Sequence, residues 1–369
     1  MLDFTSCLYL GLRHESDALP AWPRLSTGKP AALEDPPGAR RIARKLAEVQ
    51  GCETALMAPS TLHLFWDLFG HLADCGAAFY VDSGAYPIAR WGVERAAGRA
   101  AMVRTFRHHD AEHLRRLLDR GSGGWPVVVA DGLCPGCGGI APLREYADAV
   151  GDCGLLVIDD TQALGIFGRR TKRDSPYGSG GGGSLRWHAL QRPRIVAVSS
   201  LAKAFGAPVA VVAGSARLIR RYESWSDTRV HCSPPTVAVL AAAERALAIN
   251  ETEGDARRLT LAKLVRRFRA RLSGGGISVE PGLFPIQTIE TNGRIDPLRL
   301  HDRLLKAGVS AILRRGAQGE GPRLSFIVTA AHSLADVERA AQVVIDIARD
   351  QGPGKVTNAR RTEFRARTV

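Results

Sequence analysis

The chain has 369 residues, 45% of them hydrophobic and 24% charged, the balance of an ordinary globular protein long enough to bury a core without staples. The formal net charge is +13, but the basic residues are spread, so no nucleic-acid surface is expected; such charge equally suits anionic small molecules. The start, Met1-Leu2-Asp3-Phe4, lacks a secretory pattern and no apolar run spans a bilayer, which points to a cytoplasmic protein without a membrane partner.

Residues 1–40 read as an N-terminal segment. A helix is expected over Arg41–Val49, stopped near Gly51. Apolar runs follow at Val127–Ala130, Leu155–Asp159, Ile195–Val198 and Val209–Val212. They are apolar throughout rather than alternating, with helical patterns between several of them. That predicts an α/β fold with a mostly parallel sheet covered on both faces, over a large domain at 41–245. The stretch Tyr177–Ser184, with five glycines, offers backbone N–H groups for an anion; because no strand runs directly into it, a flexible loop is the favoured reading. Pro234-Pro235 precedes an alanine-rich helix at Thr236–Ile249 that leads into a smaller α+β domain at 246–350. Its strands are placed at Pro285–Ile289 and Leu324–Val328, its helices at Pro297–Ala307 and Ser333–Arg349. The basic run from Arg257 to Arg271 has the spacing of a solvated helix face, and residues 351–369 read as a disordered basic tail.

Seven cysteines in a chain without an export signal do not suggest disulfides. The pair in Cys134-Pro135-Gly136-Cys137 has redox or zinc-ligand spacing. A structural zinc site needs a second Cys or His pair at similar spacing, none is found along the chain, and the expectation is a loop and no metal.

Two segments carry chemistry. Asp159-Asp160-Thr161-Gln162-Ala163-Leu164-Gly165 places acids at the end of a buried strand. Ser199-Ser200-Leu201-Ala202-Lys203-Ala204-Phe205-Gly206 places a lysine just past another. Ligands gather at such strand ends in open parallel sheets. A cleft lysine forms imines with an aldehyde cofactor, and a carboxylate beneath a pyridine nitrogen keeps that ring able to accept electrons.

These segments resemble the α-oxoamine synthase family of fold-type I pyridoxal-phosphate (PLP) enzymes, the aminotransferase class I/II superfamily. Phe106 to Leu114 is similar to its F-x-H-N-D-x-x-x-L, Asp131 to Leu143 to D-G-V-F-S-M-D-G-D-I-A-P-L, and Asp159 to Gly165 to D-E-A-H-S-L-G. Ser200 to Gly206 matches T-L-G-K-A-F-G, and Gly321 to His332 matches G-x-x-R-L-R…T-A-A-H. The resemblance implies a PLP-dependent acyltransferase that condenses an amino acid with an acyl thioester of coenzyme A or a carrier protein, losing CO2. It implies a homodimer with shared active sites. Lys203 takes the Schiff-base position and Asp159 that of the pyridinium partner. Ser200 and Ser60-Thr61-Leu62 fall at phosphate-binding positions, with Ser233 or Cys232 as the residue sent across the dimer. Arg323 matches the arginine that holds the substrate carboxylate. Three positions depart from the pattern: Tyr86 replaces the ring-stacking histidine, Gln162 the histidine at the phenolic oxygen, and Pro135 a serine. They bear on acyl transfer rather than on cofactor binding, and leave transamination or another PLP reaction as the alternative, with a non-catalytic binding module as a third.

Overall fold

A computed structural model describes residues 1–350 apart from 122, 172–174, 281, 291–294 and 316–320. The tail expected over 351–369 lies outside the described residues. The chain divides into two compact units, one formed by Leu12–Asp255 and the other by Met1–Gly11 with the residues from Ala256 onward.

The larger unit is built on a seven-stranded sheet. Its strands run in the order Thr54–Ala58, Ala210–Gly214, Ile195–Ser200, Leu155–Asp159, Trp125–Asp131, Ala77–Asp82 and Val103–Phe106. All neighbours are parallel except at Ala210–Gly214, which is antiparallel to both strands beside it. The continuous apolar runs are explained by what covers them. Val127 and Val129 face one core with Phe65, Phe69 and Phe79. Val128 and Ala130 face another with Tyr80, Tyr146 and Leu156. Strand side chains alternate faces, so a sheet buried on both sides favours apolar residues at both phases along the strand interiors. Each such side chain taken fully out of water stabilises the fold by about 1.5–3 kcal/mol.

The four apolar runs and the Ala-rich helix fall where expected; that helix occupies Val237–Thr252, with the Thr236 hydroxyl accepting from the Val239 N–H at 3.4 Å, the usual N-cap bond. Three further strands, Thr54–Ala58, Ala77–Asp82 and Val103–Phe106, complete the sheet beyond the runs read from sequence. The glycine-rich stretch is packed rather than flexible, a correction to the sequence reading. Residues 181–185 are buried, the Leu164–Gly182 and Arg169–Ser179 bridges pin the stretch, and the Ser184 N–H donates to the Asp160 carboxylate at 3.0 and 3.2 Å. It does cradle an anion, but an internal one. Gly183, at φ +83°, is required there, since a Cβ would stand 2.0 Å from Asp160 Oδ2.

In the smaller unit a three-stranded antiparallel sheet runs Ile312–Arg314, Arg323–Ile327, Ile286–Thr288, and Leu2–Asp3 pairs in parallel with Val309–Ser310. Helices at Pro297–Lys306 and Leu334–Asp350 lie within a residue or so of their expected bounds. Phe4, Phe268 and Phe326 form its aromatic centre, with ring centroids 5.2–6.0 Å apart. No helix among the described residues is long and apolar enough to cross a membrane.

Candidate active site

The parallel strands all end at one edge of the sheet, and three neighbouring strands end there in aspartate: Asp82, Asp131 and Asp159. Asp131 and Asp159 are register partners, so two carboxylates share a buried strand end. Asp159 is 6% exposed. Burial pushes its carboxyl up, opposed by hydrogen bonds from the Thr161 hydroxyl and N–H and by the charge of Lys203. Burial, then the neighbouring Asp159, push Asp131 well above the carboxylate range, against one hydrogen bond from the Tyr86 N–H at 3.0 Å. Two adjacent anions cannot both stay charged in a dry setting unless a cation joins them.

The nearest basic side chain is Lys203, whose charge lowers the Asp159 carboxyl. It follows the Ile195–Ser200 strand, the neighbour of Leu155–Asp159. The turn is held by the Leu201 N–H on the Val209 carbonyl at 2.8 Å and by the Gly206 N–H on the Lys203 carbonyl at 3.2 Å. The lysine amine is half-buried and has no hydrogen-bond or salt-bridge partner among the described residues. A residue not singled out from the sequence ties the two turns together. Thr161 donates its N–H to Asp159 Oδ1 at 3.0 Å, and its hydroxyl accepts the Ser200 N–H at 3.0 Å. The sequence signal was a hydroxyl inside the Asp-rich motif, which only the strand order turns into a bridge.

The expected phosphate-binding residues come to the same edge. Ser200 and Ala58 are both register partners of Ala210, so the strand leading to Ser60 ends two positions across from Ser200, with Ala58 about 10 Å away. Ser60 starts the Thr61–Asp74 helix without capping it through its side chain, which is spent on His63 Nδ1 at 2.8 Å. The first N–H groups of that helix, including those of Thr61 and Leu62, are therefore available to an anion. Gln162 is buried at 8% exposure and Tyr86 is 42% exposed. Ser233 is exposed in the single chain. Arg323 belongs to the other unit, where it is half-buried at the head of its strand and forms an ion pair with Glu280.

The arrangement fits pyridoxal phosphate. A protonated ring nitrogen would give Asp159 the partner that one backbone donor and one hydroxyl do not supply. A phosphate would meet the uncapped helix start and the Ser200 hydroxyl. The Lys203 amine is unengaged and beside the carboxylate.

The family described as aminotransferase class I and II matches residues 17–344. An 8-amino-7-oxononanoate synthase of Alkalilimnicola ehrlichii is 30% identical over 301 residues, 80% of this chain and 73% of that protein. One of Thioalkalivibrio sulfidiphilus is 32% identical over 249 residues, 66% of this chain and 61% of that protein, so the chain covers less than two thirds of that relative. The crystal structure of 8-amino-7-oxononanoate synthase from Francisella tularensis superposes with a TM-score of 0.74 at 17% identity, covering 95% of this chain and 98% of that one. The fold expected from the strand pattern is thus met.

Proposed function

Since the chain belongs to the aminotransferase class I and II family, we propose that it is a PLP-dependent acyltransferase of the α-oxoamine synthase type, joining an amino acid to an acyl thioester of coenzyme A or a carrier protein with loss of CO2, as a cytoplasmic homodimer. The observation that supports this most is the pairing of an unengaged Lys203 amine with a buried, under-partnered Asp159 at one sheet edge. When bound, the cofactor supplies an electron sink for a carbanion at the amino acid's Cα.

The chain's residues do the rest. Asp159 would hold a proton on the ring nitrogen, and Thr161 aims the carboxylate by donating through N–H and hydroxyl. Ser200, Ser60, Thr61 and Leu62 hold the phosphate, with Ser233 from a second copy. Tyr86 would offer an aromatic face to the ring. Gln162 donates to the phenolic oxygen without titrating. The Lys203 Nζ would be the base that takes the substrate's Cα proton and later returns it. Arg323 is assigned the substrate carboxylate in a bidentate fork; its present partner is Glu280, so the substrate must exchange one carboxylate for another.

The test is incubation of the purified protein with single amino acids and a panel of acyl thioesters. Release of free thiol together with CO2 is expected. Conversion of the cofactor to its amine form without thiol release would overturn the acyl-transfer reading in favour of transamination. Absence of any spectral change with every amino acid would leave a binding module instead.

A further inference from the structure

Two turns stand on either side of the Ala77–Asp82 strand, and their His and Cys side chains have no part assigned in the Lys203 site. One follows Val103–Phe106 and carries His108-His109. The other follows Trp125–Asp131 and carries Cys134-Pro135-Gly136-Cys137. The sheet order sets those two strands as the flanks of Ala77–Asp82, so a His pair and a Cys pair far apart in the chain meet over Asp82.

The meeting is built in detail. His109 adopts φ +56°, a left-handed conformation that a histidine takes only where its surroundings hold it. Here its N–H donates to Asp82 Oδ2 at 3.1 Å. The His108 and His109 rings stack with centroids 3.8 Å apart. His108 turns Nδ1 to Asp82 Oδ1 at 2.7 Å and Nε2 to Cys137 Sγ at 3.3 Å. Gly84 is what lets the ring approach, since a Cβ there would lie 2.3 Å from His108 Nδ1. Across the gap the cysteine loop closes on itself: the Cys134 N–H donates to the Gly139 carbonyl at 3.0 Å and the Gly138 N–H to the Cys134 carbonyl at 2.8 Å. The Gly139 N–H points at Cys137 Sγ at 3.4 Å, which favours the thiolate a metal requires. Cys134 is buried, and its thiol is close enough to His108 and Cys137 to influence both.

The ligand atoms of His108, His109 and Cys137 all lie within 4.8 Å of one another. A tetrahedral ion with bonds of about 2.0–2.3 Å needs its ligands about 3.5 Å apart, so the three groups would have to draw together by about 1 Å. We propose that His108, His109, Cys137 and Cys134 bind one divalent thiophilic cation of the zinc class, with Asp82 hydrogen-bonded behind His108. Two sulfurs and two imidazoles are the donor set that suits such an ion. The carboxylate on the far nitrogen of His108 is the support that fixes a ligating ring's orientation. Such an ion would clamp two loops at the sheet edge. The -Cys-x-x-Cys- loop, read from sequence as metal-free for want of a second pair, has that pair in space.

The test uses the full-length, cofactor-loaded protein, reduced, stripped with a chelator and titrated with cobalt(II). One equivalent per chain should produce a thiolate-to-cobalt charge-transfer band that one equivalent of zinc(II) removes. Cys137→Ser should abolish the band, Cys134→Ser should shift and weaken it, and Asp82→Asn should weaken zinc binding about 10–100-fold. Retained cofactor absorbance and circular dichroism in Cys137→Ser show that the variant folds. The proposal is overturned if the reduced wild type gives no band, if the band survives Cys137→Ser, or if a Cys134–Cys137 disulfide forms and persists under saturating zinc.

Discussion

Asp159 and Asp82 occupy the same kind of position, the last residue of a buried parallel strand, and they are set up for opposite chemistries. Burial pushes the Asp82 carboxyl up, but hydrogen bonds from His108 and from the Gly84 and His109 N–H groups bring it below the usual carboxylate range. The Tyr146 hydroxyl adds a bond at 3.1 Å. Asp82 is a complete anion whose partners all come from the protein. Among the described residues Asp159 receives only Thr161 and, through its charge, Lys203, and burial keeps its carboxyl raised. Position at a strand end gives both residues the same burial; the number of donors around each decides which is finished by the fold and which awaits a cation from outside it.

The largest test of that contrast is at Lys203. Lys203→Ala should remove the absorbance of bound PLP held on the lysine and lower turnover on the order of 10^3-fold, the middle of the range for a positioned general base. A persisting band would move the covalent attachment elsewhere and end the contrast. Asp160 sharpens it from the other side. It is fully buried, and burial pushes it up to about 7. Its native-state affinity for a proton exceeds that of the unfolded chain, so its contribution is fully present below about pH 4, declines as pH rises, and is gone above about 7. Wild-type stability should therefore fall by on the order of 4 kcal/mol relative to Asp160→Asn across that window, measured by denaturant unfolding at a series of pH values. A constant difference between the two would show that Asp160 is ionised throughout.

The same logic separates two identical substitutions. Asp82→Asn should destabilise the cofactor-free protein by about 3 kcal/mol, because it removes a buried charge from donors that have no other acceptor. Asp159→Asn should leave that stability unchanged or raise it, while lowering activity about 10–100-fold through the lost charge-assisted bond to the ring nitrogen. Equal losses of stability would refute the donor-count explanation.

Sequence reached the Asp159 end and not the Asp82 end for a topological reason. Leu155–Asp159 and Ile195–Ser200 are uninterrupted apolar runs whose ends carry the acid and the approach to the lysine, so motif and strand coincide. Ala77–Asp82 begins with two alanines directly after an apolar helix, and Val103–Phe106 is a four-residue edge strand whose side chains alternate between exposed and covered. Neither stands out as a buried run. With the Ala77–Asp82 strand unread, nothing in the chain says that His108 and Cys137 flank the same aspartate. Strand order, which local pattern does not encode, is what joins them. Likewise the tightness of the Tyr177–Ser184 stretch depends on a carboxylate, Asp160, that lies well upstream of it.

The smallest effect is the most discriminating, because it alters the donors at Asp159 without touching the carboxylate. Thr161→Val keeps the shape, removes the hydroxyl bond to Asp159 and leaves the Ser200 N–H without its acceptor. A single hydrogen bond to a charged group is worth about 1.5 kcal/mol at the low end, so kcat/KM should fall about tenfold. A purely structural role would lower activity equally at every pH. Loss of a donor to Asp159 does something different: the ionised form becomes harder to reach, and the acidic limb of the kcat/KM profile moves to higher pH. Thr161→Ser, which keeps the hydroxyl, should restore both the rate and the position of that limb. If the valine variant loses rate with an unmoved profile, the Thr161 hydroxyl is a brace between two turns and Asp159 takes its charge state from Lys203 and the Thr161 N–H.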